Sequence, residues 1–403
     1  MSISKRVILG GLAAILVGCA GGQGMPGPMA YSRMAAPGPL RSFAAAPKSL
    51  ISTHFVNAYA ETIAQNEPLA RQDPNGPGRV LLAMIQSARQ TLDGAFYDIG
   101  DDEVVDALIA AHRRGVRVRI VTDNENIFER TDVPLPAGRV PPLRSQIVRM
   151  QQAGIPLIDD HRSGLMHNKF LVADGQAVWM GSTNVTKSSL YNHNNNAMVL
   201  RIPQVAENYT YEFERMFVHK IFGVAPRQVP HPVIKVGNTT IRTFFSPRGG
   251  GQEAIVDMLA NARQRISFMT FSFTDKTMAD LMIRKRAEGL RVEGVYDQCL
   301  AYGQYSTKRM LSQNNILTRH DGNEALLHHK VILVDDTVIA GSYNFSSNAD
   351  KSNNENMLII QDAGVATAYA QEYDRVMRAA AVNHPPENKC PGDKPEDPVV
   401  PQP

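Results

Sequence analysis

The segment His167-Asn168-Lys169-Phe170-Leu171-Val172-Ala173-Asp174 recurs as His328-His329-Lys330-Val331-Ile332-Leu333-Val334-Asp335, and this pair decides the fold. Each copy reads His-x-Lys, four residues, Asp, and each is followed by Gly-Ser-x-Asn, at positions 181–184 and 341–344. Two complete copies in corresponding places of one chain are poorly explained by chance. We therefore interpret the chain as a duplication of one structural unit.

The similarity between the two halves continues outside the motifs. Residues 88–90, Ala-Arg-Gln, recur at 262–264, which is 174 positions later (262 minus 88), and Asp123 meets Asp297 at the same shift. The two motif histidines are only 161 positions apart (328 minus 167). The first half therefore carries 13 additional residues (174 minus 161) before His167. A fixed shift over long stretches indicates two homologous half-domains rather than a solenoid.

Length and composition suit two domains of ordinary size. The chain has 403 residues, and 43% of them are hydrophobic, which is enough to fill two cores. We expect the halves to span residues 49–226 and 227–384. The formal net charge of +3 neither requires nor excludes nucleic acid as a partner, and it would also suit an anionic lipid surface.

The first residues have the pattern of an export signal. Two basic residues precede an apolar run at 7–17 that is too short to span a bilayer as a helix. The run ends in Leu16-Val17-Gly18-Cys19, which resembles the lipobox of bacterial lipoproteins. The resemblance implies a lipoprotein signal peptide at 1–19 and a lipid on Cys19. A simple cleaved signal with an incidental Cys19 is the alternative.

The residue after Cys19 is Ala20, and in Gram-negative lipoproteins a residue other than Asp implies sorting to the outer membrane. We expect a lipid-anchored protein of the cell envelope, facing the periplasm. Residues 20–48, rich in Gly, Pro and Ala, are expected to be a flexible tether, and residues 385–403 a disordered Pro-rich tail. An exported chain could pair Cys299 with Cys390, and two free thiols are the alternative.

Alternating strand and helix patterns predict a layered α/β fold. The first half shows a strand, an amphipathic helix and a second strand, and the second half repeats this order. The predicted bounds are 92–97, 101–114 and 116–121 in the first half, and 266–273, 275–288 and 290–296 in the second.

Each motif is predicted to begin on a strand. His167 and Lys169 are two positions apart, so both side chains point to one face of a strand, and His328 and Lys330 have the same spacing. The motif aspartates follow the apolar core of each strand, and we expect them to hold turns rather than contact a substrate. They are Asp174 and Asp335.

The doubled motif resembles that of the phospholipase D superfamily, and the resemblance covers nearly all of the chain from residue 50 to residue 381. It implies two α-β-α sandwich half-domains related by a pseudo-twofold axis, with the active site at their interface. It also implies a phosphodiesterase that needs no cofactor. Because one chain holds both motifs, a monomer is sufficient for one complete site, and no protein partner is required.

The residue types then suit phosphodiester cleavage. Lys169 and Lys330 can neutralise the anionic oxygens that repel a nucleophile, and fixed donors can stabilise the developing charge. The expected donors are Asn184, Asn344, Ser182 and Ser342. One histidine attacks phosphorus and forms a phosphohistidine, while the other protonates the leaving alcohol and then deprotonates water. No metal ion is required.

The identity of the nucleophile depends on which histidine has an acidic partner, since a carboxylate orients an attacking imidazole. In this family an acid often follows Gly-Ser-x-Asn, and Glu355 fits that place. Aligning Met198 of the first half with Met357 of the second half puts Asn196 opposite Glu355. If Glu355 orients the histidine of the opposite half, His167 is the nucleophile and His328 is the general acid. The reverse assignment remains open.

Other conspicuous residues are assigned ordinary roles. Trp179 lies on a return strand and is expected in the core. Three further histidines form no metal-ligand pattern, and we expect surface or supporting positions for them. They are His193, His320 and His329.

The substrate follows from the predicted location. A lipid anchor holds the protein beside phospholipids at high effective concentration, which favours hydrolysis of phospholipid headgroups. Residues 271–275, Phe-Ser-Phe-Thr-Asp, resemble a stretch of the small nuclease-like and cardiolipin-hydrolase-like members, so an endonuclease acting on nucleic acid is an alternative. Transfer to an alcohol, as in cardiolipin synthases, and a lipoprotein that only binds lipid or DNA are two others. The loops within 124–166 and 302–305 are expected to shape the entrance.

Overall fold

The computed structural model describes residues 49–56, 63–129 and 139–382. The predicted signal peptide, tether and tail lie outside these residues, as do Cys19 and Cys390, so these assignments stay predictions. Cys299 is engaged in a disulfide, and its pairing with Cys390 also stays a prediction. Within the described residues, no helix has the length and apolar character needed to cross a membrane.

The first half is built on a seven-stranded mixed sheet. Its strands are β1 (Ile51–Phe55), β2 (Thr91–Phe96), β3 (Arg117–Thr122), β4 (Leu157–Asp159), β5 (Lys169–Ala173), β6 (Ala177–Gly181) and β7 (Asn196–Leu200), in the spatial order β1-β7-β6-β5-β2-β3-β4. Its helices are α1 (Ile63–Gln72), α2 (Pro77–Ser87), α3 (Asp102–Arg113), α4 (Ser145–Gln152), α5 (Lys187–Tyr191) and α6 (Pro203–Phe217). β2, β3 and β4 run parallel, and the other neighbours are antiparallel.

The second half repeats this plan with an eight-stranded sheet. Its strands are β8 (Val233–Val236), β9 (Thr239–Ser246), β10 (Arg265–Thr270), β11 (Arg291–Tyr296), β12 (Leu317–His320), β13 (Lys330–Val334), β14 (Thr337–Gly341) and β15 (Glu355–Gln361), in the order β12-β11-β10-β13-β14-β15-β9-β8. Its helices are α7 (Gly251–Ala260), α8 (Lys276–Ala287), α9 (Lys308–Gln313), α10 (Ser347–Lys351) and α11 (Ala363–Val382). The α/β fold class with two related half-domains is therefore confirmed.

The corresponding helices α3 and α8 begin and end through the same local devices. Asp101 and Asp275 cap them, each accepting a hydrogen bond from the backbone N–H three residues later. Gly115 and Gly289 follow their last turns with φ of 92° and 95°, a left-handed conformation that glycine adopts without strain. The predicted helices are confirmed to within one or two residues at either end.

Two strand predictions extended too far. The strand predicted at 266–273 ends at Thr270, because the chain then leaves the sheet and Phe273 pairs with Phe345 instead. The motif strands begin at Lys169 and Lys330, so each histidine lies just before its strand rather than on it. Histidine and lysine still lie next to each other, because each lysine ammonium donates to the carbonyl of its own motif histidine.

The two sheets share one hydrophobic core. Phe170 and Met198 of the first half belong to the same buried cluster as Val331 and Leu358 of the second half. The shared cluster also contains Tyr209 of α6 and Tyr369 of α11, which cover the inner face of the sheets. Each sheet packs its other face against its own remaining helices, and every half therefore has an α-β-α arrangement. Trp179 is fully buried in the first-half cluster, as predicted, and its indole N–H donates to the carbonyl of Pro77 at 3.2 Å. The boundary predicted after residue 226 lies between α6 and β8 and stays a prediction.

Each motif aspartate ties the β-hairpin that follows the motif to the start of the neighbouring strand. Asp174 Oδ1 accepts hydrogen bonds from the backbone of Gln90 at 2.7 Å and Thr91 at 2.9 Å. Asp335 Oδ1 accepts from the backbone of Gln264 at 2.9 Å and Arg265 at 3.0 Å. Both carboxylates therefore serve the fold, at the same place in each half.

Candidate active site

The two motif histidines are held by backbone bridges that cross between the halves. The His167 N–H donates to the Asn354 carbonyl at 2.8 Å, and the His328 N–H donates to the Asn194 carbonyl at 2.9 Å. Each bridge has a second backbone hydrogen bond. The Asn354 N–H donates to the Leu165 carbonyl, and the Asn194 N–H donates to the Leu326 carbonyl. Each half therefore supplies, just before its strand β7 or β15, the backbone that positions the histidine of the other half.

The side chains of the histidines are also oriented across the interface, but by different partners. His167 Nδ1 lies 2.7 Å from Glu355 Oε2, while His328 Nδ1 lies 2.9 Å from Asn195 Oδ1. Only 6% and 7% of the two histidines is exposed. Because Nδ1 is occupied in both rings, Nε2 is the ring atom that can meet a substrate.

The sequence alignment that placed Asn196 opposite Glu355 is wrong by one residue. Ser182 Oγ contacts Asn195 Oδ1 at 2.8 Å, just as its counterpart Ser342 contacts Glu355 at 2.6 Å. The counterpart of Glu355 is therefore Asn195. The error came from matching methionines across a run of asparagines, whereas the shift of 160 between the Gly-Ser pairs (341 minus 181) gives the correct register.

The serines of Gly-Ser-x-Asn do not face a substrate, contrary to expectation. Ser182 and Ser342 are fully buried, and their hydroxyls bind the residues that orient the histidines. The preceding glycine permits this contact, since a Cβ at Gly341 would lie 2.1 Å from the Asn356 carbonyl oxygen. By contrast, the side-chain oxygens of Asn184 and Asn344 have no hydrogen-bond partner, so these amides remain available.

Both motif lysines are buried beside the histidines. The exposed fraction is 0% for Lys169 and 1% for Lys330, and each ammonium donates to the carbonyl of its own motif histidine, at 2.8 and 2.9 Å. Burial lowers the pKa of Lys169 to about 7. Burial, and next the charge of Lys169, hold the pKa of Lys330 well below its usual value. Two buried cations of this kind are stabilised by an anion placed between them.

Two aromatic rings complete the site, and the sequence analysis did not assign them to it. Tyr97 lies 4.8 Å from the His167 ring and 5.0 Å from the Lys169 ammonium. Phe271 lies 4.8 Å from His328 and 4.6 Å from the Lys330 ammonium. Their ring faces suit the neighbouring cations. The shift of 174 between them (271 minus 97) was the signal that could have found them.

The electrostatics keep both histidines neutral near pH 7. Burial lowers the pKa of His167 to about 4, although Glu355 acts in the opposite direction. Burial, followed by the charge of Lys330, lowers the pKa of His328 well below its usual value. Two neutral imidazoles facing one space can serve as nucleophile and proton carrier, and an anionic substrate would raise the pKa of both.

The three other histidines singled out from the sequence lie in different surroundings. His329 is fully buried and lies within hydrogen-bond distance of Glu372. It therefore has the supporting position that was one of the two predictions, and the predicted surface position is wrong for this residue. His193 has its ring 6.1 Å from that of His328, and burial lowers its pKa to about 4. His320 packs against Tyr302. In the part of the chain that the structure describes, no group of three or more His, Cys, Asp or Glu could hold a metal ion.

Comparisons with known proteins agree with this geometry. The family described as "Cardiolipin synthase, PLD-like domain" matches residues 81–217 and 255–377, one segment in each half. The phospholipase D of Rickettsia typhi is 30% identical over 166 residues, which are 41% of this chain and 81% of that protein. The mitochondrial cardiolipin hydrolase of Xenopus laevis is 32% identical over 137 residues, covering 34% of this chain and 59% of that protein. In fold, the chain is similar to phosphatidylserine synthase of Haemophilus influenzae, with a TM-score of 0.61 at 13% identity over 81% of this chain and 86% of the other.

Proposed function

The chain belongs to the phospholipase D superfamily and is a phosphodiesterase of that superfamily, and on this premise we propose that it hydrolyses phospholipid headgroups through a covalent phosphohistidine, without a metal ion. The observation that carries the proposal is the pair of neutral histidines, each oriented through Nδ1, beside two buried lysines. The lysines supply the cationic charge that a metal ion would otherwise provide.

His167 is proposed as the nucleophile, because its Nδ1 proton is held by the carboxylate of Glu355 at 2.7 Å. Its Nε2 attacks phosphorus, and the bond from phosphorus to the headgroup oxygen breaks. A carboxylate stabilises the positive charge that the ring acquires, whereas the neutral amide of Asn195 beside His328 offers less. The asymmetry between the two orienting residues supports this choice.

His328 is proposed as the proton carrier. Substrate binding brings negative charge beside it, which favours its protonated form and counteracts burial. It donates the Nε2 proton to the leaving alkoxide, then takes a proton from water as the water oxygen attacks phosphorus. Cleavage of the bond between phosphorus and His167 restores the enzyme, and the net reaction consumes one water molecule.

Phosphate binding is proposed to involve four further side chains. The ammonium groups of Lys169 and Lys330 would face the non-bridging oxygens, and the amides of Asn184 and Asn344, whose oxygens lack partners, would rotate to donate to them. Both lysines carry lowered pKa values because of burial, so binding of an anion is the event that restores their full charge.

A phospholipid is proposed as the substrate on two grounds. Related proteins carry the names phospholipase D and cardiolipin hydrolase. The sequence Leu16-Val17-Gly18-Cys19 favours lipid attachment at Cys19, which would hold the enzyme at an envelope membrane, proposed to be the outer membrane on its periplasmic side. Metabolic labelling with a radioactive fatty acid should mark the wild type and not Cys19→Ser, and label on both would refute the anchor.

The function is tested with protein lacking residues 1–19, assayed with EDTA on mixed phospholipid vesicles and, in parallel, on plasmid DNA. We expect headgroup release by the wild type and none by His167→Ala or His328→Ala. His219→Ala is the matched control, because that histidine is exposed and lies outside the segments expected to shape the entrance. Nicked DNA beside intact lipid would replace the proposal with the endonuclease alternative, and transfer to added glycerol in place of water would indicate the synthase alternative.

A further inference from the structure

His329, the residue between the histidine and the lysine of the second motif, belongs to a buried hydrogen-bond chain. His329 Nε2 lies 3.0 Å from Glu372 Oε1 on α11, and His329 Nδ1 lies 2.9 Å from Asn196 Nδ2. Asn196 Nδ2 also lies 3.2 Å from Ser182 Oγ. The chain continues to the active site through Ser182 Oγ to Asn195 Oδ1 at 2.8 Å and from there to His328 Nδ1 at 2.9 Å.

The outer end of this chain determines the direction of its first two hydrogen bonds. Glu372 is bound by Arg375 at 2.7 and 2.8 Å, and although burial raises its pKa, the hydrogen bonds of Arg375 and His329 outweigh that and lower it. A carboxylate only accepts, so His329 carries its proton on Nε2 and accepts at Nδ1. Asn196 must then donate to His329 with its amide nitrogen, and its oxygen accepts from the hydroxyl of Tyr369 at 3.0 Å.

The same logic extends to the active site. Ser182 Oγ accepts from the amide nitrogen and the backbone N–H of Asn196, so its own proton is directed to Asn195 Oδ1. The amide of Asn195 is thereby fixed with its oxygen towards His328, and its nitrogen donates to the carbonyl of Ser189. His328 must hold a proton on Nδ1, which leaves Nε2 as the atom that exchanges protons.

The first half lacks this device at the equivalent place. Asn168 occupies the position of His329, and its amide nitrogen contacts only the sulfur atoms of Met166 and Met216, each at 3.7 Å. Its oxygen has no partner. Glu212 occupies the position of Glu372, and the ion-pair partner that the structure gives it is Arg215 rather than a histidine. His167 does not need such a chain, because Glu355 touches it directly.

We propose that Glu372 and His329 are positioning residues that fix the tautomer of His328 through Asn196, Ser182 and Asn195. This inference rests on the proposed function for its kinetic consequence, since it assigns proton transfer to His328. Each catalytic histidine is then governed by one carboxylate, directly for His167 and over four intervening side chains for His328. The chain needs no contact with the substrate.

The kinetic test compares His329→Leu, which breaks the chain, with His329→Gln, which can accept from Asn196 and donate to Glu372. Without the chain, the proton of Ser182 is no longer directed to Asn195 by two donors, and the Asn195 amide is held in its orientation by Ser189 alone. The amide can then turn its nitrogen towards His328, which disfavours the imidazolium. In the pH profile of kcat we expect the basic limb of His329→Leu to move to lower pH by about 1 to 2 units. A pKa change of this size corresponds to the free energy of one hydrogen bond to a charged group. His329→Gln should restore the limb, and the matched control Asn168→Leu should leave it in place.

The groups that face the two histidines must be considered in reading that profile. Lys330, His193, Lys169 and His167 face His328. Glu372, Arg375 and Lys330 face His329. All of these groups, Glu372 and Arg375 included, are present in every variant, and only the contact of Glu372 with residue 329 is lost in His329→Leu, so a shift confined to that variant is assigned to the chain. An unmoved basic limb in folded His329→Leu would overturn the proposal.

Leaving-group dependence gives a second readout. A phosphodiester of p-nitrophenol needs little proton donation, whereas one of an alkyl alcohol needs much. His329→Leu should therefore lose at least about tenfold more kcat on the alkyl ester, whereas equal losses on both esters would indicate a merely structural role.

A measurement on the wild type covers the case in which the variants do not fold. Long-range ¹H–¹⁵N NMR of the histidine side chains should show His329 protonated at Nε2 and His328 protonated at Nδ1. Protonation of His328 at Nε2 instead of Nδ1 would overturn the proposal that the chain fixes its tautomer. Absence of any phosphodiester cleavage by the wild type would instead refute the proposed function while leaving the tautomers to test the chain.

Discussion

Replacing Glu355 by glutamine should slow the enzyme by about one to two orders of magnitude. The carboxylate is 1% exposed and lies 2.7 Å from His167 Nδ1, so the contact is a buried, charge-assisted hydrogen bond. Such bonds contribute about 1.5 to 3 kcal/mol, which corresponds to a factor of roughly 10 to 150 in rate if the bond strengthens as His167 gains positive charge. Glutamine keeps the shape of the side chain and can still accept from His167.

The sign of the accompanying pH effect follows from the same contact. The negative charge of Glu355 raises the pKa of His167 against the larger effect of burial, which leaves it at about 4. Glu355→Gln removes that contribution, so the pKa should fall further and the acidic limb of the pH profile should move to lower pH. A less basic imidazole is also a weaker nucleophile, which accounts for the lower rate at neutral pH.

The assay is hydrolysis of bis(p-nitrophenyl) phosphate, followed as a burst to separate formation of the phosphoenzyme from its breakdown. Glu355→Gln should reduce the burst rate constant, and wild type quenched in alkaline denaturant, which preserves a phosphohistidine, should carry the phosphoryl label on His167. The matched variant Asn195→Asp supplies a carboxylate to the other histidine and should leave the burst rate far less affected. A burst rate for Glu355→Gln within twofold of the wild type, or label on His328, would refute the reasoning.

Three further predictions concern charge and architecture. Lys330→Met should lower kcat/KM by about 100-fold or more while the midpoint of thermal unfolding stays equal or rises, because a buried cation is removed; a wild-type rate would exclude the lysine from phosphate binding. Asp335→Ala should lower the free energy of unfolding in urea by about 1 to 3 kcal/mol through the loss of its backbone hydrogen bonds, and Asp174→Ala should do the same; a much larger loss of activity than of stability would place these residues in the chemistry. Binding of inorganic phosphate should weaken as pH rises from 7 to 9, since Lys169, with a pKa of about 7, then needs to take up a proton; calorimetry in buffers of different ionisation enthalpy measures that uptake, and a pH-independent affinity would contradict it.

The layered fold and the motif residues could be predicted because duplication supplies an internal check. A histidine and a lysine at the same spacing in both halves carry more information than either pair alone, and the shift between the copies gives the order of strands and helices. The orienting residues were harder to identify. Asn194, Asn195 and Asn196 are chemically alike in sequence. The shift between the Gly-Ser pairs aligns Asn195 with Glu355, but it is the hydrogen bonds of Asn195 that show that it faces His328.

Other features depend on contacts that no local pattern records. Tyr97 and Phe271 lie about 60 to 70 residues before the histidines they touch and read as ordinary strand ends. His329 and Glu372 meet only because α11 packs on the sheet of the second half, 43 positions later in the chain. Polar residues inside a helix that is otherwise apolar on its buried face were the available signal, but a sequence does not tell which partner satisfies them.

The bridges that cross between the halves have a consequence for how such a protein can evolve. In a homodimer of identical subunits, whatever residue faces one histidine must face the other as well, so a single side chain has to serve both halves of the reaction. Fusing two gene copies into one chain removes that obligation. Glu355 and Asn195 can then diverge, as can His329 and Asn168, and each histidine acquires surroundings suited to one task. The two halves of the fused chain are therefore no longer equivalent, and each can carry out a different step of the reaction.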